Sequence, residues 1–170
     1  MKGKNIMTEE NLKLLTTNFG EIEKYLEQYI DVSSELMQID SEENGMITEK
    51  VNQREKIIGE IDFLTKQCKE TINSLDSEEC QLVKKMLNED TAKVNANGAM
   101  AILRNSILNL KLVQEKAAAK DKDLVAQFNS RMNEAKDKLS DLQNDKKKAD
   151  YFSSTVPTVN NVGVNFDSNF

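Results

Sequence analysis

The sequence predicts an all-α fold: an elongated antiparallel three-helix bundle with a long third helix, or a fourth helix in place of its second half, and a flexible C-terminal tail. Three observations predict it. Apolar residues recur at steps of three and four along most of the 170 residues, the spacing of one helix face. The chain has 6 glycines and 1 proline, so few positions favour tight turns. Aromatic residues make up 5% and tryptophan is absent, which suits a narrow helical seam better than a bulky globular core.

The first helix is expected over about residues 8–39. Its apolar residues are Leu12, Leu15, Phe19, Ile22, Leu26, Tyr29 and Leu36, and Ser33 stands where the seam calls for an apolar side chain. Glu21, Glu23, Glu27, Asp31 and Glu35 give the other faces an acidic, solvated surface. The second helix, about residues 41–73, repeats the pattern with Ile57, Ile61, Leu64, Cys68 and Ile72, followed by Leu75. Arg54 lies one turn before this stripe. Its stem can rest on the bundle while its head stays in water or meets a carboxylate.

The tetrapeptide Asp-Ser-Glu-Glu occurs at Asp40–Glu43 and again at Asp76–Glu79. Aspartate followed three residues later by glutamate is a capping box, and the paired glutamates face the positive end of a helix dipole. Both copies are therefore expected to start helices. The first also resembles a calcium loop, with Asp40, Asn44, Gly45 and Ile47 in register. Position twelve, where a bidentate glutamate is needed, is Val51. Capping is the better reading, and no metal is expected.

The third helix is expected over about residues 77–150, with a break near 119–123 as the alternative. Leu82, Val83, Met86, Leu87, Val94, Met100, Leu103, Ile107, Leu110 and Val113 form a wide stripe that suits contact with two neighbours. Farther on, Val125, Phe128, Met132, Ala135, Leu139 and Leu142 keep the same spacing. Domain organisation follows as a bundle over 1–150 and a tail over 151–170. The tail is rich in Ser, Thr and Asn, carries Pro157, and scatters Phe152, Val162, Val164, Phe166 and Phe170.

Composition excludes several functions. The formal net charge of −6 disfavours nucleic acid, whose phosphates need a basic face. With no histidine, the commonest general base and zinc ligand is missing. No phosphate loop, nucleophile elbow or metal-ligand spacing is present, so an enzyme is not expected and no cofactor is implied. Cys68 and Cys80 read as reduced core thiols. The opening "MKGKNIMTEENLKLL" has no long apolar run, so neither a signal peptide nor a membrane span is expected, and the compartment read from this is the cytoplasm. What remains is binding to another polypeptide. The stripe Val125, Phe128, Met132, Leu139 and Leu142 needs a second helix in water. That helix is a client, a second copy making a homodimer, or the chain's own four-helix core.

Three stretches carry a resemblance to a known family. In "ELMQIDSEENGMITEKVNQREKIIGEIDFL" a helix ends near a Glu-Leu pair, an Asp precedes the next helix, and Arg54 comes before Ile57 and Ile58. In "VNANGAMAILRNSI", Asn95, Asn97 and Gly98 lead into aliphatic residues. Near the end, Tyr151 precedes a polar tail that contains glycine. Over about residues 8–113 and the tail in outline, the sequence resembles the FlgN-type flagellar export chaperones. The resemblance implies a cytoplasmic type III secretion chaperone that holds terminal helical segments of hook-associated proteins. Such a chaperone prevents premature assembly and delivers its clients to the export gate. It further implies that Tyr151, with Phe152, contacts the gate. A self-assembling coiled-coil protein and a regulator that sequesters a transcription factor are the competing readings.

Overall fold

The structure is a computed structural model that describes residues 2–40 and 43–155. Four α-helices and one 3-10 turn account for most of the described chain: α1 (Lys2–Gln38), α2 (Asn44–Ser74), α3 (Ser77–Asn88), the turn Thr91–Lys93, and α4 (Gly98–Thr155). The fold is all-α, with no strand among the described residues. The chain divides into two compact units, Met1–Phe128 and Asn129–Phe170, with α4 contributing to both.

Within the first unit, cross-helix bonds fix the topology. Asn11 on α1 bonds Ser74 on α2, Tyr29 bonds Arg54, and Glu35 pairs with Lys50 at 2.5 Å. As α1 ascends, α2 descends, so the pair is antiparallel. Helix α4 follows α1 in parallel: Ser106 donates to the Thr16 carbonyl, Tyr29 to Asp121 and Gln127 to the Met37 carbonyl, across separations of 90, 92 and 90 positions. The short α3 packs back along the lower end of α2. Lys111 on α4 reaches the carbonyls of Met86 and Glu89 at the end of α3, at 2.8 Å each.

The expected seams are the core. Leu12, Leu15, Phe19 and Ile22 of α1 join Cys68, Ile72 and Leu75, Val83 and Met86, and Leu103, Ile107 and Leu110 in one buried cluster. Each such aliphatic or aromatic side chain contributes about 1.5–3 kcal/mol by leaving water. A smaller second cluster holds Leu36, Ile39 and Leu124, with Met37, Ile47 and Phe128 packed on it. Ser33 occupies its seam position fully buried, and its hydroxyl donates to the Tyr29 carbonyl at 2.6 Å. That bond satisfies the hydroxyl without a partner from another helix.

The expected third helix over 77–150 is broken, though not at 119–123, which is helical throughout. The break is at Glu89–Asn97. There the Asp90 carboxylate accepts from the Ala92 N–H at 3.2 Å, and the buried Thr91 hydroxyl donates to the Met86 carbonyl at 2.7 Å. Both side chains offer the backbone an alternative to the helix ladder. Asn95, Asn97 and Gly98, expected inside a helix, instead lead into α4. Gly98 takes a φ of +57° there, a conformation that favours glycine.

Only one Asp-Ser-Glu-Glu copy caps as expected. Asp76 is the N-cap of α3 and accepts from the Glu79 N–H at 3.0 Å. At the first copy the cap is Glu43, without a side-chain hydrogen bond, and the helix starts at Asn44 rather than 41. The Asp40 carbonyl accepts from the Glu43 N–H at 3.1 Å. Tyr151 is inside α4, which runs on to Thr155 rather than ending near 150. Pro157, Val162, Val164, Phe166 and Phe170 lie outside the described residues.

Candidate docking stripe on α4

Helix α4 has no glycine or proline between Ala99 and Thr155, and its Ala, Lys, Gln, Leu and Asp content leaves nothing to interrupt it. Its apolar residues keep one period along its length. At 100° per residue, the buried Leu103, Ile107, Leu110, Val113, Ala117 and Leu124 share an arc of about 120°. Val125, Phe128, Met132, Ala135, Leu139 and Leu142 continue that period in an arc of about 100°.

Burial changes while the period does not. Phe128 is half-buried against the second apolar cluster. Val125 is 59% exposed, Met132 50%, Leu139 58% and Leu142 67%. From Met132 to Tyr151 every described side chain is exposed. The structure separates Phe128, which packs on the second cluster, from the exposed Met132, Leu139 and Leu142. Tyr151 is exposed on the same helix, and the side chain of Phe152 lies outside the described residues.

Charges around the stripe are sorted. Lys136 and Lys138, both exposed, border it, and the half-buried Arg131 lies one turn earlier. Glu134, Asp137 and Asp141 occupy the opposite side of the helix. Spacing alone could have found this pattern, since heptad positions beside the seam read directly from the sequence.

Elsewhere the first unit offers a polar layer and several apolar hollows, two of them lined in part by α4. Tyr29, Arg54 and Asp121 bring together α1, α2 and α4 between the two apolar clusters. Tyr29 donates to Asp121 Oδ1 and Oδ2 at 2.8 and 2.9 Å, while Arg54 donates to the tyrosine hydroxyl and, at 2.5 Å, to Asp121 Oδ1. The guanidinium carbon also lies 4.5 Å from the centre of the Tyr29 ring, within cation–π range. Burial, and next the bond to Asp121, push the Tyr29 hydroxyl above its ordinary pKa, while Arg54 acts in the opposite sense. This layer is a fastening between helices.

One hollow, of about 190 Å³, lies among Phe19, Ile22, Ile61, Cys68, Leu87 and Leu110, where α3 ends. The other, of about 590 Å³, is an open groove between Leu12 and Thr16 of α1 and Ala99 and Ile102 of α4. Burial pushes the Cys68 thiol up to about 11, with Asn18 acting in the opposite sense, so this thiol is a poor nucleophile near neutrality. Cys68 and Cys80 are both free. Among the described residues no group of three or more Cys, Asp or Glu side chains is placed to hold a metal ion, and no helix is long and apolar enough to cross a membrane.

No family model matches the sequence, and neither the curated proteins nor the solved structures contain a match to it.

Proposed function

We propose that the chain is a cytoplasmic chaperone that holds an amphipathic helical segment of a client protein on the α4 stripe, in the manner of the flagellar export chaperones it resembles. The single observation that carries this reading is the exposure of Met132, Leu139 and Leu142 on a helix whose earlier residues of the same period are buried. A two-residue-per-heptad apolar seam in water is stabilised by a second helix laid along it. The first unit has a core of its own, so the stripe can be spared from folding and used for binding. The proposed activity is binding and delivery, without catalysis or cofactor.

The client class comes from the resemblance. Hook-associated proteins present terminal helical segments whose apolar residues pair only after assembly, and a chaperone seam covers them meanwhile. Val125, Met132, Leu139 and Leu142 would make the contact, with Phe128 shared between client and core. Tyr151 and Phe152 would meet the export gate, by the same resemblance.

Co-purification tests this from a flagellated cell. The tagged chain should bring down a hook-associated protein, and Leu139→Asp with Leu142→Asp should abolish capture while the circular dichroism of the bundle is kept. Absence of every junction protein from the eluate of the folded wild-type chain would overturn the reading. The regular heptad also favours a second reading, self-association through the same stripe. Sedimentation separates the two: a stable dimer dissociated by Leu139→Asp with Leu142→Asp would establish the coiled-coil reading instead.

A further inference from the structure

We infer that the occupant of the α4 stripe is an acidic helix, one with glutamate or aspartate beside its own apolar seam, rather than a second copy of this chain. The inference rests on the helix-holding reading above and goes further by naming the partner's charge. With Val125, Met132 and Leu139 as a positions and Phe128, Ala135 and Leu142 as d positions, the residues bordering the seam are the e and g positions. Between Val125 and Leu142 these are Asn129, Arg131, Lys136 and Lys138. Not one is acidic, although the whole chain carries a net charge of −6. The acids of this segment, Glu134, Asp137 and Asp141, are on the far side. Charges beside a coiled-coil seam decide which partner is accepted, because they face the partner's own e and g residues across the interface.

The same sorting tells against a second copy. In a parallel pair, g faces the following e of the other chain. Lys138 would meet Gln143 of the second copy. In the antiparallel pair that overlaps the seam fully, Met132 packs on Ala135 and Lys136 meets Asn129. Neither arrangement sets an acid against Lys136 or Lys138, so a second copy does not answer their charge. Lys146 takes the next a position and ends the seam. From Val125 to Leu142 the seam is about 26 Å long, which suits a partner helix of about five turns. An anionic lipid surface is less well suited. Helices that lie in a bilayer interface present a broad apolar face, whereas this one presents the narrow a/d stripe of helix pairing.

Fluorescence anisotropy on the intact chain tests this with two labelled 21-residue helical peptides. Both carry leucine at a and d; one has glutamate at every e and g position and the other lysine. The glutamate peptide should bind about tenfold more tightly at low salt, with the gap narrowing as salt rises. Lys136→Glu with Lys138→Glu should reverse the order. Both variant positions are exposed, so the fold is retained. Equal affinity for the two peptides, unmoved by the charge reversal yet abolished by Leu139→Asp with Leu142→Asp, would overturn the acidic preference and leave helix-holding standing. If neither peptide binds, both ideas fall. A seam-dependent dimer in sedimentation, or seam-dependent binding to vesicles of phosphatidylserine and phosphatidylcholine with no peptide bound, would overturn the inference in favour of that occupant.

Discussion

The Tyr29 hydroxyl donates to both carboxylate oxygens of Asp121, at 2.8 and 2.9 Å, and so ties α1 to α4 between the two apolar clusters. Arg54 closes the layer from α2. Its Nε is buried without a hydrogen-bond partner, so the layer is not fully satisfied. Such a layer contributes modestly to stability and acts more on specificity. A slipped register would leave these groups facing aliphatic side chains. Tyr29→Phe should lower unfolding free energy by about 1 kcal/mol. Asp121→Ala should cost about 1–2 kcal/mol, less than a fully buried pair because the Asp121 side chain is 44% exposed. Urea melts of the three proteins measure this. A loss below 0.3 kcal/mol on the linear-extrapolation scale, roughly the error of such melts, would show that the layer adds nothing.

The raised Tyr29 pKa makes stability depend on alkaline pH, with a definite sign. The folded state holds the phenolic proton more tightly than the unfolded chain. The contribution is therefore complete below the unfolded tyrosine pKa, about 10, and is lost as pH rises through the higher folded value. Wild-type stability should fall in that window more steeply than that of Tyr29→Phe. Phenolate absorbance offers a second measurement: of the 3 tyrosines, one should ionise late, and Tyr29→Phe should delete that phase.

The two Asp-Ser-Glu-Glu copies make an internal comparison. Asp76→Ala removes a cap that accepts from Glu79 N–H and should cost about 1 kcal/mol. Asp40→Ala removes a carboxylate that is not the cap of α2 and should change stability by less than about 0.5 kcal/mol. Equal losses at the two sites in denaturant melts would show that Asp40 caps in solution.

These tetrapeptides also show where sequence reasoning runs out. The seam of α1 was legible down to Ser33, because steps of three and four specify a face whatever residue fills it. The cap at Asp76 was legible for the same local reason. The cap at Asp40 was not, because an identical tetrapeptide is followed there by Asn44 and Gly45, and the helix starts at Asn44 with Glu43 as its N-cap. The break after Asn88 was missed because apolar spacing on either side of Asp90 and Thr91 suits one continuous helix. Their role depends on the Thr91 hydroxyl reaching the Met86 carbonyl. Arg54 was expected to find water or a carboxylate, but Asp121, 67 positions away, looked like one charge among many in "AAKDKDL". Periodicity finds faces; pairings between helices need the register. Spacing lists Phe128 and Leu139 as equivalent members of one stripe, whereas the difference in their burial needed the packing of the second cluster.

Glycines at different backbone positions should respond in opposite directions. Gly98 has a φ of +57°, and Gly98→Ala should cost about 1 kcal/mol through backbone strain, since no atom within 4 Å obstructs the new methyl group. Gly59 lies inside α2, exposed and equally unobstructed. Gly59→Ala should stabilise by about 0.5–1 kcal/mol. Thermal melts should move the two midpoints apart, and a shared direction would contradict the assigned backbone of Gly98.

The two parts of α4 should differ in amide exchange. Residues 98–124 pack their stripe in the core, so their amides open only with the first unit. Residues 132–151 expose every described side chain. Helix formation there rests on propensity and on local pairs such as Lys148 with Asp145 at 3.7 Å, each worth about 0.2–0.5 kcal/mol. A helical stretch of that length without packing is marginal in water. Its amides should exchange faster than those of 98–124 by a factor of at least about 100, corresponding to 2.7 kcal/mol at the constant of 1.36 per decade. Saturating the stripe with the glutamate-flanked peptide should slow exchange selectively in 132–151 and raise the helical signal at 222 nm beyond the sum of the separate components. Exchange in 132–151 that is already as slow as in 98–124, in a monomeric chain without peptide, would mean that something within the chain already covers the stripe, and the docking proposal would lose its basis.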